Sequence, residues 1–185
     1  ATSTLSITGG TLTLGANLAY TKTAGAVNST LTLNGGSLDM SGKSIGTSAA
    51  PIGTLTLASG TLKNVSEFNG GSAAGASITK TGSNTLIIDG TNAFTAGFTI
   101  SAGAVQVGAG STTGTLGTSV ITNNASLVFN RSDSASFANV INGTGTVTQS
   151  GAGNLTLTGA NAYSGATLVS AGTLTAASGA LAGTS

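Results

Sequence analysis

The sequence predicts an all-β chain wound as a parallel β-solenoid of about eight coils, with almost no α-helix. Three observations predict it. The stretch 151–174 repeats 82–105 at a fixed offset of 69 residues, the mark of a repeat architecture. Leu86, Ile88, Gly90, Asn92, Phe94, Ile100, Gly103 and Val105 match Leu155, Leu157, Gly159, Asn161, Tyr163, Val169, Gly172 and Leu174. Apolar residues alternate with Thr and Ser over short runs, which gives a strand one apolar and one polar side. Gly, Asn and Ser punctuate those runs, where the chain must turn.

The elements follow in order. Thr4–Thr8 alternates around Leu5 and Ile7, Gly9-Gly10 turns, and Thr11–Leu14 alternates again. The unit returns at Thr30–Leu33, Asn34-Gly35-Gly36 and Ser37–Met40, then at Thr54–Leu57, Ala58-Ser59-Gly60 and Thr61–Lys63. A two-residue Gly turn also suits a hairpin. A solenoid corner explains the long offset as well, and a hairpin does not. Residues Asn69–Ala76 read as a Gly/Ser/Ala loop carrying about four extra residues relative to the second copy, a surface bulge. Ser77–Lys80 leads into the first copy, and Gly108–Gly114 is a second loose stretch. Ser119–Thr122, Leu127–Phe129, Phe137–Ile141 and Thr146–Thr148 continue the strands. No stretch sustains a 3.6-residue apolar period.

Sixty-nine residues divide into three coils of about 23, inside the usual range for solenoid repeats. Stacked coils pair in parallel at about 4.8 Å per step, so eight give a rod roughly 40 Å long. The inward set is expected to include Leu12, Leu14, Leu31, Leu33, Leu55, Leu57, Leu86, Ile88, Ile100, Leu127, Phe129, Leu155, Leu157 and Val169. The whole of 1–185 reads as one solenoid segment of a longer repeat protein, with repeat copies near 54–116 and 123–185.

Composition narrows the function. Charged residues make up 5% of the chain, against roughly 25% in ordinary domains. Five Lys/Arg against four Asp/Glu leave a net charge of +1 and no basic stripe, so nucleic acid is not an expected partner. Cys and His are absent, which removes disulfides, thiolate sites and the commonest general base. No run approaches the roughly 20 apolar residues of a membrane helix, so this segment is not expected to insert in a bilayer.

No catalytic, cofactor-binding or metal-binding residue set emerges. Polysaccharide-cleaving β-helices need grouped carboxylates. Here Asp39, Glu67, Asp89 and Asp133 occupy four separate contexts. Arg131 and Asp133, two apart, read as a surface ion pair. Gly108–Gly114 lacks the Lys-Ser/Thr ending of a phosphate loop. Phe94 and Tyr163 share one repeat position and read as rings packed in or beside a corner. Six Asn-x-Ser/Thr sequons, from Asn28 to Asn154, are near chance in so Asn/Ser/Thr-rich a chain.

The stretch 151–174 resembles the autotransporter-associated β-strand repeat, also called the passenger-associated transport repeat. The likeness lies in Leu155-Thr156-Leu157-Thr158-Gly159-Ala160-Asn161, Tyr163-Ser164-Gly165 and Ala171-Gly172-Thr173-Leu174. Gly114–Val147 is similar to the segment preceding that motif, through Thr122-Asn123-Asn124, Leu127–Asp133 and Ile141–Gly145. The resemblance implies a right-handed parallel β-helix in the passenger of a large exported bacterial surface protein, and it implies no catalytic motif. The expected role is a non-enzymatic stalk or spacer of an adhesin-like protein, extracellular or at the cell surface. A segment of a self-associating extracellular fibre is the alternative, and a glycan-binding or polysaccharide-degrading β-helix comes third. Expected partners are neighbouring repeats, identical copies stacked end to end, or a host or matrix surface ligand. No cofactor is expected.

Overall fold

A computed structural model describes residues 2–19, 28–71, 77–177 and 181. Sixteen strands and no helix occur among them. In chain order they are β1 (Thr2–Ile7), β2 (Thr11–Thr13), β3 (Asn28–Ile45), β4 (Thr54–Phe68), β5 (Ser77–Lys80), β6 (Thr85–Asp89), β7 (Gly97–Ile100) and β8 (Ala104–Val107). They continue as β9 (Ile121–Asn123), β10 (Ser126–Phe129), β11 (Ala135–Phe137), β12 (Ile141–Asn142), β13 (Thr146–Gln149), β14 (Asn154–Leu157), β15 (Thr167–Val169) and β16 (Thr173–Ala176).

Every pairing between these strands is parallel, which excludes the hairpin reading. The pairings define a solenoid of about seven turns with three faces. On the first face, β1, the start of β3, the start of β4, β5, β7, β9 and β12 stack in succession. On the second, β2, the middle of β3, the middle of β4, β6, β8, β10, β13 and β15 stack. The third face holds the ends of β3 and β4, the segments near 92–94 and 115–118, and a separate sheet of β11, β14 and β16. At about 4.8 Å per rung, seven turns give a rod roughly 34 Å long.

Alternation fills the interior. Leu86, Val105, Leu127 and Val147 stack in register on the second face, and all four are buried. Ile78, Phe98, Ile121 and Ile141 do the same on the first. Each such side chain contributes about 1.5–3 kcal/mol on burial. The two short strands expected around Gly9-Gly10 are β1 and β2, whereas those expected around the Gly35-Gly36 and Gly60 corners are single bent strands, β3 and β4. Left-handed glycines bend them without ending the ladder. Gly60 has φ +103°, and a Cβ there would lie 2.4 Å from the Gly35 carbonyl oxygen of the corner below. Only glycine lets corner lie on corner at that distance.

Three expectations need correction. Of the inward set, Leu31, Leu33, Leu57, Leu86, Ile88, Ile100, Leu127, Phe129, Leu155 and Leu157 are buried, and Leu12, Leu14 and Leu55 are half-buried. Val169 is 48% exposed. Its register places it in the inward column after Ile88, Val107, Phe129 and Gln149, but no described strand stacks on the far side of β15. The expected strand Phe137–Ile141 is two strands on different faces, β11 and β12. Asn139 sits buried at the corner between them and donates to the carbonyls of Gly117 and Ser119. The third correction concerns the repeat. From Ile78 the first face returns at Phe98, Ile121 and Ile141, so three coils close after 63 residues, not 69. The loop expected to bulge at 69–76 lies largely outside the described residues.

Candidate functional site

The polar side chains that strand parity sends inward come first. Lys80 has the same parity as Ile78 on β5, so its side chain enters the core and is fully buried. Its ammonium has three N–H donors. They reach the carbonyls of Thr81 (2.7 Å), Gly82 (2.8 Å) and Ala102 (3.1 Å). Burial pushes its pKa below the ordinary lysine value of 10.5. Gln149, at the matching place in the second copy, donates from Nε2 to the carbonyls of Gly151 (2.9 Å) and Gly153 (3.0 Å). Asn123 donates likewise to the Thr146 carbonyl (2.8 Å). Each clasps a corner from the inside. Parity alone was the signal for Lys80, and the sequence reading did not use it.

The four carboxylates take separate partners. Asp39 accepts from the Ser41 N–H (2.8 Å) and the Asn64 amide (2.9 Å). Glu67 accepts from the Thr95 N–H (2.9 Å) and hydroxyl (2.7 Å). Asp89 is 6% exposed and pairs with the Lys63 ammonium at 2.9 Å. Burial pushes the Asp89 pKa up, but the Thr113 hydroxyl and Lys63 outweigh it, and the carboxyl ends below its usual range. The Lys63–Asp89 pair escaped the sequence reading, because the two are 26 residues apart and meet only through the β4–β6 register. The β3–β4 register places Asp39 on the other side of Lys63.

Arg131 and Asp133 do pair. The guanidinium donates to both carboxylate oxygens, at 2.9 and 2.7 Å, and to the Gly114 carbonyl at 2.7 Å. That fork holds the Asp133 carboxyl below its usual range. Arg131 also edges a shallow groove of about 630 Å³ on the third face, with Thr91, Thr118, Ser134, Ser136 and Asn139 around it. Among the described residues, no group of three or more acidic side chains is placed to hold a metal.

The matching residues Phe94 and Tyr163 are both fully buried. Phe94 packs edge-on to Phe68 with ring centroids 5.2 Å apart, and the Tyr163 hydroxyl meets the Thr167 hydroxyl at 2.7 Å. Asn92 and Asn161, two places earlier, do the same work. Asn92 Oδ1 accepts from the Val65 N–H (2.9 Å), and the Ala93 N–H returns to the Val65 carbonyl (3.0 Å). Asn161 Oδ1 accepts from the Ile141 N–H (2.8 Å), and the Ala162 N–H returns to the Ile141 carbonyl (2.8 Å).

The family model for the passenger-associated-transport-repeat matches residues 78–107 and 147–176. The two matched stretches are built alike. Each is one strand–corner–strand unit, the linking segment with its Asn and aromatic ring, and a second such unit stacked on the first. The chain is also similar to the Adhesin BmaC autotransporter of Brucella suis biovar 1 (strain 1330), with 37% identity over 68 residues. That match covers 37% of this chain and 2% of the relative's length. No solved structure matches.

Proposed function

We propose that the segment is a non-enzymatic stalk within the passenger of a large exported bacterial surface protein, spacing or presenting other parts of that protein outside the cell. The two transport repeats and the likeness to an autotransporter adhesin support the passenger and export reading. The stalk reading rests on one observation above others: how the polar groups are used. Among the described residues, every buried side-chain nitrogen or oxygen has a hydrogen-bond partner. Lys80, Asp89, Asn92 and Asn123 hold one coil to another, and Gln149 closes its own corner. Such groups stiffen a rod rather than address a substrate.

The test replaces the segment, in its parent protein, with a β-solenoid of equal length and unrelated surface. Adhesion and surface display should persist. Lost adhesion at unchanged surface level would assign the binding to this segment instead.

A second reading has its own observation. Leu168 and Val169 on β15 are 55% and 48% exposed. Another coil stacked on β15 would cover Val169, whether it comes from the same polypeptide or from an identical copy. Sedimentation of the isolated segment separates the two: concentration-dependent association supports copies stacking end to end, and a monomer at high concentration contradicts it.

A further inference from the structure

We infer that the transport repeat is a screw operation: each repeat advances the chain by three coils and one further face, so the number of repeats sets the direction in which the stalk presents what it carries.

The register carries this. Ile78 belongs to the first face, in the column Ile78, Phe98, Ile121, Ile141. Its match, Val147, belongs to the second, in the column Leu86, Val105, Leu127, Val147. Leu86 of the second face becomes Leu155, which stacks with Leu174 on the third. The remaining third of the coil moves as well. Asn92 caps Val65 on the third face, whereas Asn161 caps Ile141 on the first. All three parts of the repeat thus shift in the same sense by one face. The corner clasp moves with them, from Lys80 to Gln149.

The faces are interchangeable because matching segments, β5 with β13 and β6 with β14, form the same short alternating strands on different faces, with the corner between them closed by an inward donor. Outward side chains at matching places, such as Thr79 and Thr148, therefore point to different sides of the rod. A third repeat at the same offset would complete the cycle of faces. Adding or removing one unit re-aims everything beyond it by one face. The consequence for cargo rests on the stalk reading; the phase itself rests on register alone.

Two measurements test it. In the intact chain, nitroxide labels at Thr79→Cys and Asn142→Cys share one outward column, three rungs or about 14 Å apart. They should show strong dipolar broadening. Labels at Thr79→Cys and Thr148→Cys should show much less, being on different faces. Equal or stronger broadening in the second pair overturns the inference.

The second measurement removes residues 78–146, joining Ser77 to Val147. The register of Leu57 with Lys80 puts Thr79 beside Thr56, so Thr148 should take that place. Oxidation should then link Thr56→Cys to Thr148→Cys. If the downstream coils kept their face, Thr148→Cys would link instead to Thr61→Cys, since Thr61 registers with Ile87. That link, or a shortened chain that does not fold cooperatively, contradicts interchangeable faces. These outcomes fail separately from the adhesion experiment, which does not depend on phase.

Discussion

The first repeat, residues 78–107, lies between coils on both sides, while the second, residues 147–176, is covered by described coils on one side only. Matching places differ in exposure for that reason. Ile100 and Val105 are buried; Val169 and Leu174 are not. The two repeats also differ in residue at places where both are buried, and there the substitutions are informative. A lysine clasps one corner and a glutamine the other, so the position requires N–H donors and not a charge. A phenylalanine fills one linking segment and a tyrosine the other, so that position requires a ring. The asparagine before it does not change, because its amide oxygen closes an N–H of the coil below in both copies.

The largest effect should come from breaking an inward column. Leu157→Lys puts an unpaired cation into the core, in register with buried Phe137. It should unfold its coil, seen as rapid cleavage by a protease at low concentration. Thr156→Lys, on the outward side of the same strand, should resist cleavage like the parent. Equal sensitivity would refute the inward assignment.

Next comes the clasp. Lys80→Met leaves the carbonyls of Thr81, Gly82 and Ala102 without their buried donor. About 1–3 kcal/mol per uncompensated group should be lost in denaturant unfolding. Lys80→Gln, which imports the second repeat's solution, should lose much less. The lysine also leaves a pH signature. Its folded pKa is lowered, so between that value and 10.5 the unfolded chain binds more protons. Stability should therefore climb as pH rises through that window. The Lys80→Gln variant should lack that rise, and an identical pH profile would contradict the assignment.

Asn92→Ala and Asn161→Ala should each cost about 1–2 kcal/mol, since each leaves a buried backbone N–H of the preceding coil unmatched. Similar losses in the two variants would sharpen the equivalence of the repeats; a cost in one alone would break it. Tyr163→Phe is the smallest change, giving the second repeat the first one's ring. Removing the hydroxyl contact with Thr167 should cost about 0.5–1.5 kcal/mol or less by thermal unfolding.

The stacked columns were legible in the sequence because alternation has a period of two, and Leu31, Leu57, Leu86 and Leu155 obey it. The parallel sense followed from the repeat. What alternation does not encode is coil length. The coils starting at Ile78, Phe98 and Ile121 take 20, 23 and 20 residues, and no residue pattern announces where a face begins. An even division of 69 therefore missed the extra face. The Lys63–Asp89 pair was hidden for the same reason, since both partners are found only once the coil between them is measured. The Arg131–Asp133 pair was legible because it lies within one corner.

Successive coils lie in register over a dry column. Methyl NOE spectra of the labelled chain test it most directly. Cross-peaks should join Leu86 to Val105, Val105 to Leu127 and Leu127 to Val147, residues 19 to 22 apart in sequence. Leu86 methyls that contact only sequence neighbours, or that relax like solvent-exposed groups, would contradict it.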